Sequence, residues 1–184
     1  MIHTRIRRSP ARLLRRAAAL TLSVAAASAW LDRAHGADLA ASSELPASEL
    51  AAAGGNLASV HQSGNANDAR VQQHGQAQVA RLVQSGDAGE IRASQSGVAN
   101  HARLTQAGAE NLITLAQHGI GNEAAVWQTG DANRAHLTQA GADNLAWIRQ
   151  AGNDNYADVR QYGNGGRAGV AQYGDGSYAK VIQH

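Results

Sequence analysis

The chain has 184 residues with no Cys, no Phe, 20 Gly, 4% aromatic residues and a formal net charge of +2. Burying a Leu, Val or Phe contributes about 1.5–3 kcal/mol, and a composition this poor in large apolar side chains argues against an ordinary globular core. The absence of Cys excludes a disulfide frame and a thiolate metal site.

At the N-terminus, Arg5, Arg7, Arg8, Arg12, Arg15 and Arg16 precede a short apolar run from Ala17 to Ala29. A basic segment, an apolar segment too short to span a bilayer and a following small-residue stretch predict a secretory signal peptide over residues 1–36. The expected cut follows Gly36, with Ala29 as the second choice. The pI near 9.4 is then a property of the leader. Removing residues 1–36 takes away seven Arg and one Asp, leaving nine Lys and Arg against thirteen Asp and Glu, a net of −4. A nucleic-acid partner inferred from pI fails on that count. Residues 37–55, small and interrupted by Pro46, are predicted to form a flexible N-terminal segment.

From Asn56 to His184 the chain is built on an eleven-residue unit, N-x-A-x-V-x-Q-x-G-x-x. Its glutamines are Gln62, Gln73, Gln84, Gln95, Gln106, Gln117, Gln128, Gln139, Gln150, Gln161, Gln172 and Gln183. Glycine follows two residues later at Gly64, Gly75, Gly86, Gly97, Gly108, Gly119, Gly130, Gly141, Gly152, Gly163 and Gly174. Asparagine opens the unit at Asn56, Asn67, Asn100, Asn111, Asn122, Asn133, Asn144 and Asn155, with Gln78, Gly89, Gly166 and Ser177 as exceptions. The specified residues fall at every second position, the alternation of a β-strand with N, A, V and Q on one face. Gly-x-x-Asn reads as a tight turn in which glycine supplies positive φ and Asn tolerates it. A right-handed helical supercoil also fits a period of eleven, but the alternation and a glycine in every unit, at about 1 kcal/mol per copy, oppose it.

The predicted fold is all-β: a two-sided parallel β-solenoid of strand–turn–strand rungs, 22 residues each and about six in number, cross-β in character. Spacing that never slips has a physical cause. A one-residue shift would turn a strand inside out, and a buried amide left unpaired costs about 1–3 kcal/mol. Stacked in register, each Gln donates to the Gln of the adjacent rung, and Asn is expected to do the same at the turns, as in amide ladders of cross-β assemblies. These Gln and Asn residues, from Gln62 and Asn67 onward, are the predicted amyloid-core ladder, and the glycines are its turns. Bare rung faces are expected to stack head to tail into a fibre.

Other chemistry is sparse. The histidines fall in different phases, and His74 and His118, which share one, lie two rungs apart, about 10 Å. No metal, cofactor or catalytic set is predicted. Arg70, Arg81, Arg92 and Arg103 share an outward phase, with Asp68 and Glu90 placed to compensate Arg70 and Arg92. The Arg rows read as a solvated face or as a strip that contacts an acidic polymer, lipid or a partner subunit, and that contact would be salt-sensitive. Asp87, Asp131, Asp154 and Asp175 sit at turns, where charge slows premature aggregation. Trp127, Trp147, Tyr156, Tyr162, Tyr173 and Tyr178 place the exposed aromatics in the C-terminal half.

The stretches QTGDANRAHLTQAG (Gln128–Gly141), QAGADNLAWIRQAG (Gln139–Gly152) and QAGNDNYADVRQYG (Gln150–Gly163) resemble the curlin repeat of bacterial functional amyloid subunits. Residues Ala37–Ala40, with Ser43–Glu44 and Glu49–Leu50, are similar to the short leader segment of the minor, nucleating curlin; the glycine-rich segment of major curlins has no counterpart here. The resemblance implies a secreted, non-enzymatic subunit of surface fibres in a biofilm matrix, nucleating polymerisation of a major subunit. It further implies self-association or a major curlin subunit as partner, the outer-membrane curli secretion machinery as export route, and the cell surface as location. The alternatives are a major or undifferentiated curlin that forms the fibre itself and, in a different class, a soluble ligand- or ice-binding solenoid.

Overall fold

The computed structural model describes residues 20–26 and 54–184. Its strands are β1 (Leu20–Ala26), β2 (Asn56–Asn65), β3 (Asp68–Gln76), β4 (Val79–Asp87), β5 (Glu90–Val98), β6 (His101–Ala109), β7 (Leu112–Ile120), β8 (Glu123–Thr129), β9 (Arg134–Ala142), β10 (Leu145–Ala151), β11 (Tyr156–Asn164), β12 (Arg167–Tyr173) and β13 (Tyr178–Gln183). Each repeat unit is one strand, and no helix occurs among the described residues. The burial of β6 shows why: Ala102, Leu104 and Gln106 are buried while His101 and Arg103 are exposed. Only a period of two puts all the specified residues on one side.

Two parallel sheets stack face to face. The first runs β2-β4-β6-β8-β10-β12 and the second β3-β5-β7-β9-β11-β13. Partners lie 22 residues apart without a slip, as in Leu104 opposite Val126 and Gln106 opposite Gln128. A rung is therefore one strand from each sheet, and six rungs form the two-sided β-solenoid expected of the sequence. Between the sheets lies a seam of Ala80, Leu82, Ile91, Leu104, Ile113, Leu115, Val126, Leu137, Ile148 and Val159, none more than 2% exposed. The seam is only two side chains deep in each unit, so Ala packs beside Leu, Ile or Val in every layer.

Hydrogen bonding continues around the turns. The Ala132 N–H donates to the Ala109 carbonyl of the preceding rung, and the Arg134 N–H to the Asn155 carbonyl of the next. Each turn holds two left-handed residues. One is the repeat glycine, such as Gly119 at φ +122°. The second is the residue just before the Asn position: Ala66, Ala77, Ala88, Ala99, Glu110, Ala132, Asp143 or Asp154, all near φ +55°, and in the other turns Gly121, Gly165 or Gly176 at φ +65° to +69°. The expectation that Asn takes the positive φ is corrected here. Asn has already turned inward to begin the next strand, where its amide has partners.

One strand falls where the sequence predicts only leader. β1 pairs antiparallel with β2, Leu20 opposite Gln62 and Ala26 opposite Asn56. The edge of β2 carries unpaired N–H and C=O groups, and an apolar run able to extend satisfies them. The rest of the signal-peptide segment 1–36, and nearly all of the flexible segment 37–55, lie outside the described residues.

Candidate functional site: the stacked amide columns

Because every Gln lies on the inward face, close to the turn, the 22-residue register brings the amides into two columns. Gln62 donates to Gln84, Gln84 to Gln106, Gln106 to Gln128, Gln128 to Gln150 and Gln150 to Gln172, over 2.6–3.0 Å. The second column runs from Gln73 through Gln95, Gln117, Gln139 and Gln161 to Gln183, over 2.8–2.9 Å. In both, Nε2 donates toward the C-terminal rung. A side-chain NH₂ has a second proton, and it crosses the seam: Gln106 Nε2 donates to the Glu90 carbonyl and Gln117 Nε2 to the His101 carbonyl. Each glutamine from Gln73 to Gln161 thus ties its own rung to the next and one sheet to the other. From Gln84 to Gln161 these side chains are at most 2% exposed.

The asparagines act differently from a simple stack. Asn122 Nδ2 donates to the Gly141 carbonyl at 3.0 Å, and its Oδ1 accepts the Asn144 backbone N–H at 3.1 Å. Amide-to-amide bonds join Asn100 to Asn122, Asn122 to Asn144 and Asn133 to Asn155, with the donor always in the later rung. Their sense is opposite to that of the Gln columns. Asn67 and Asn111 also anchor turn carbonyls, at Gly86 and Gly130. The main work of Asn is to hold backbone groups that the turn leaves without ladder partners.

The exceptions to the repeat mark where these columns thin. Gln78 stands in an Asn position, fully buried, and donates Nε2 to the His74 and Gly97 carbonyls. Its Oε1 is the one buried side-chain polar atom without a partner among the described residues. The extra methylene carries the oxygen away from the place where Asn100 Oδ1 meets the Asn122 N–H. Gln78→Asn is accordingly expected to stabilise the chain by about 1 kcal/mol, measured as a rise in the denaturant midpoint. A midpoint that falls would show that the longer side chain fills space Asn cannot.

Glycine is required by packing as well as by φ. A Cβ on Gly64, Gly75, Gly86, Gly97, Gly108, Gly119, Gly130, Gly141 or Gly152 would be driven into the carbonyl oxygen of the glycine 22 residues on. Gly163 and Gly174 have no such glycine above them among the described residues.

Outside the columns the chemistry is modest. Arg70 pairs with Asp68 at 2.7 Å, and Arg92 pairs with Glu90. Arg81 lies opposite Arg103 with no acidic partner within ion-pair distance. His74 and His118 are separated by Ser96 in the same row, and Ser96 Oγ lies 2.7 Å from His118 Nδ1. Among the described residues no three His, Asp or Glu gather into a metal-binding group. Alternation alone places Asp158 outside, yet it is 3% exposed and accepts from Arg160 Nε at 3.0 Å. That hydrogen bond, with the carboxylate charge, raises the Arg160 guanidinium above its ordinary value. Tyr156 stacks on Tyr178 with ring centres 5.3 Å apart, the cross-strand pairing expected of outward aromatics.

Compared with known protein families, residues 108–141, 141–174 and 152–184 match the model of the curlin associated repeat. No curated protein and no solved structure shows a match. The matched segments span β7 to β13. Curlin repeats are units of structural amyloid subunits, not of enzymes, and those subunits assemble themselves into extracellular surface fibres. Together the three matches cover residues 108–184, less than half of the chain, and over that part the sequence is similar to the repeats of curli fibre subunits.

Proposed function

We propose that this chain is a nucleating subunit of an extracellular curli fibre, exported across the outer membrane, whose ladder residues template a major curlin subunit. The observation that carries this reading is the directional Gln column. Every buried glutamine from Gln84 to Gln161 accepts from the rung before it and donates to the rung after it. In the last described rung Gln172 and Gln183 donate across the seam to Tyr156 and Arg167, and to no further glutamine. An incoming chain with the same repeat extends both columns by the same donor-to-acceptor step, so a formed column lowers the cost of ordering the next chain. Ordering a residue costs about 1.5 kcal/mol, and a narrow Ala/Val seam offsets this poorly without a template. The segment from Ala37 to Leu50, similar to the minor curlin and lacking a glycine-rich stretch, supports nucleation over bulk polymerisation.

Seeding tests it. Sub-stoichiometric protein added to a monomeric major curlin is expected to shorten the lag of thioflavin-detected assembly several-fold, in proportion to the seed. An unchanged lag, with fibres forming readily from this chain alone, would assign it the bulk role and end the nucleator reading.

A further inference from the structure

The outer surface of the column segregates charge in a way that the net charge conceals. Within residues 56–184 all nine Lys and Arg lie on outward strand positions, whereas six of the ten acidic residues lie at turns or, for Asp87, at the strand end leading into one. Five of those six fall on one edge, at the turns leading from the first sheet to the second: Asp87, Glu110, Asp131, Asp154 and Asp175. They occupy five successive rungs and all are exposed. The opposite edge holds only Asp143 among acids and shows Val98 and Ile120, 42% and 58% exposed.

The two broad faces differ as well. Every ion pair among the described residues lies on the second sheet, through Arg70, Arg92 and Arg160. On the first sheet Arg81, Arg103, Arg149 and Arg167 are exposed and none has an ion-pair partner. Trp127 and Trp147 stand between them at 37% and 41% exposure, and Arg149 sits over the Tyr173 ring at 5.9 Å. One molecule therefore carries a row of carboxylates without ion-pair partners and a face on which four unpaired guanidinium groups outnumber one exposed carboxylate, Glu123. The acidic row and the stacked pair Arg81 and Arg103 share the strand spacing, about 4.8 Å.

From this complementarity we infer that the outer face of the first sheet docks the acidic turn edge of a second copy lying alongside, and that this contact bundles fibres laterally. Two columns with parallel axes bring a carboxylate of successive rungs toward the Arg81–Arg103 row. Acidic edge against acidic edge is repelled, so the contact is face to edge. Shared periodicity multiplies a pair that is individually weak, since an exposed ion pair contributes about 0–1 kcal/mol, and it keeps the sum sensitive to salt. The inference rests on the fibre reading above, because a single column offers too few rungs for weak pairs to accumulate.

The test uses fibres of the full chain, with bundle width read by electron microscopy and the 4.7 Å reflection read on the same sample. Moving from about 0.01 M to about 1 M salt shortens the screening length from about 30 Å to about 3 Å. Bundles are expected to separate into single columns while the reflection persists. R81E/R103E fibres, and separately E110K/D154K fibres, are expected to stay single at low salt, and mixing the two is expected to restore bundles. Widths that ignore both salt and substitution overturn the inference and move the contact to the apolar edge of Val98 and Ile120. Loss of the reflection in the unaltered chain would overturn the fibre reading instead, and the lateral contact with it.

Discussion

Gly119→Ala is expected to disrupt the middle of the column. The new Cβ would be driven into the carbonyl oxygen of Gly141, a backbone atom held in the parallel ladder, at a residue whose φ is +122°. Overpacking costs about 1–3 kcal/mol, and a left-handed conformation adds about 1–2 kcal/mol for a residue with a Cβ. A total of about 2–5 kcal/mol would appear as a large drop in the denaturant midpoint for loss of β circular dichroism. Gly174→Ala is the control. Nothing lies within 4 Å of its added Cβ, so only the cost of its φ, +93°, applies. Equal losses in the two variants would show that backbone conformation, and not close approach of rungs, requires the glycines. A major difference in midpoint, with Gly119→Ala the weaker chain, is the expected outcome.

Gln117→Leu is the second large effect. Leucine is close to glutamine in size but leaves Gln95 without its acceptor, Gln139 without its donor, and the His101 and Asn122 carbonyls without a side-chain partner. With about 1–3 kcal/mol for each buried group left unsatisfied, the loss is expected to exceed that from an outward, half-buried substitution on the same strand, such as Thr114→Ala. Gln117→Glu separates hydrogen bonding from shape. Burial raises a carboxyl's pKa above the ordinary value of about 4.3. Its folded pKa then exceeds the unfolded one, so the variant is most stable at acid pH, where the neutral form can still donate. That stability is lost as pH rises through the folded pKa. A midpoint for Gln117→Glu that does not vary between acid and neutral pH, or a Gln117→Leu chain as stable as the parent, would mean that the column is held by the Ala and Leu seam alone.

Most of the architecture was legible because the repeat is strict. Gln106 and Gln128 can occupy equivalent places only if rungs are 22 residues apart, and Leu104 and Val126 can share an interior only if strands alternate. Period two identified the inward face, and the constant eleven excluded any insertion that would break the register. The compensated Arg pairs were equally readable, since Asp68 and Arg70 are two residues apart on one strand face.

What escaped the pattern depends on three-dimensional neighbours. Periodicity assigns Asn122 a position but not its partners, and its Nδ2 bonds turn carbonyls because the chain reverses there. The same reversal places the second positive φ at Ala132 or Glu110, ahead of the asparagine. Asp158 alternates outward and is nonetheless buried beneath its neighbours, and Gln78 hides an unpaired oxygen that a one-letter match to an amide conceals. The acidic edge was visible as scattered Asp in turns, but its five residues form a row only after alternate turns are assigned to opposite sides of the column. By itself, the order of residues determined the layer repeat and which side chains face inward, because both follow from local alternation and spacing. Tertiary structure alone decided which amide meets which carbonyl and which charges share an edge, because those relations join residues about two strands apart in the chain.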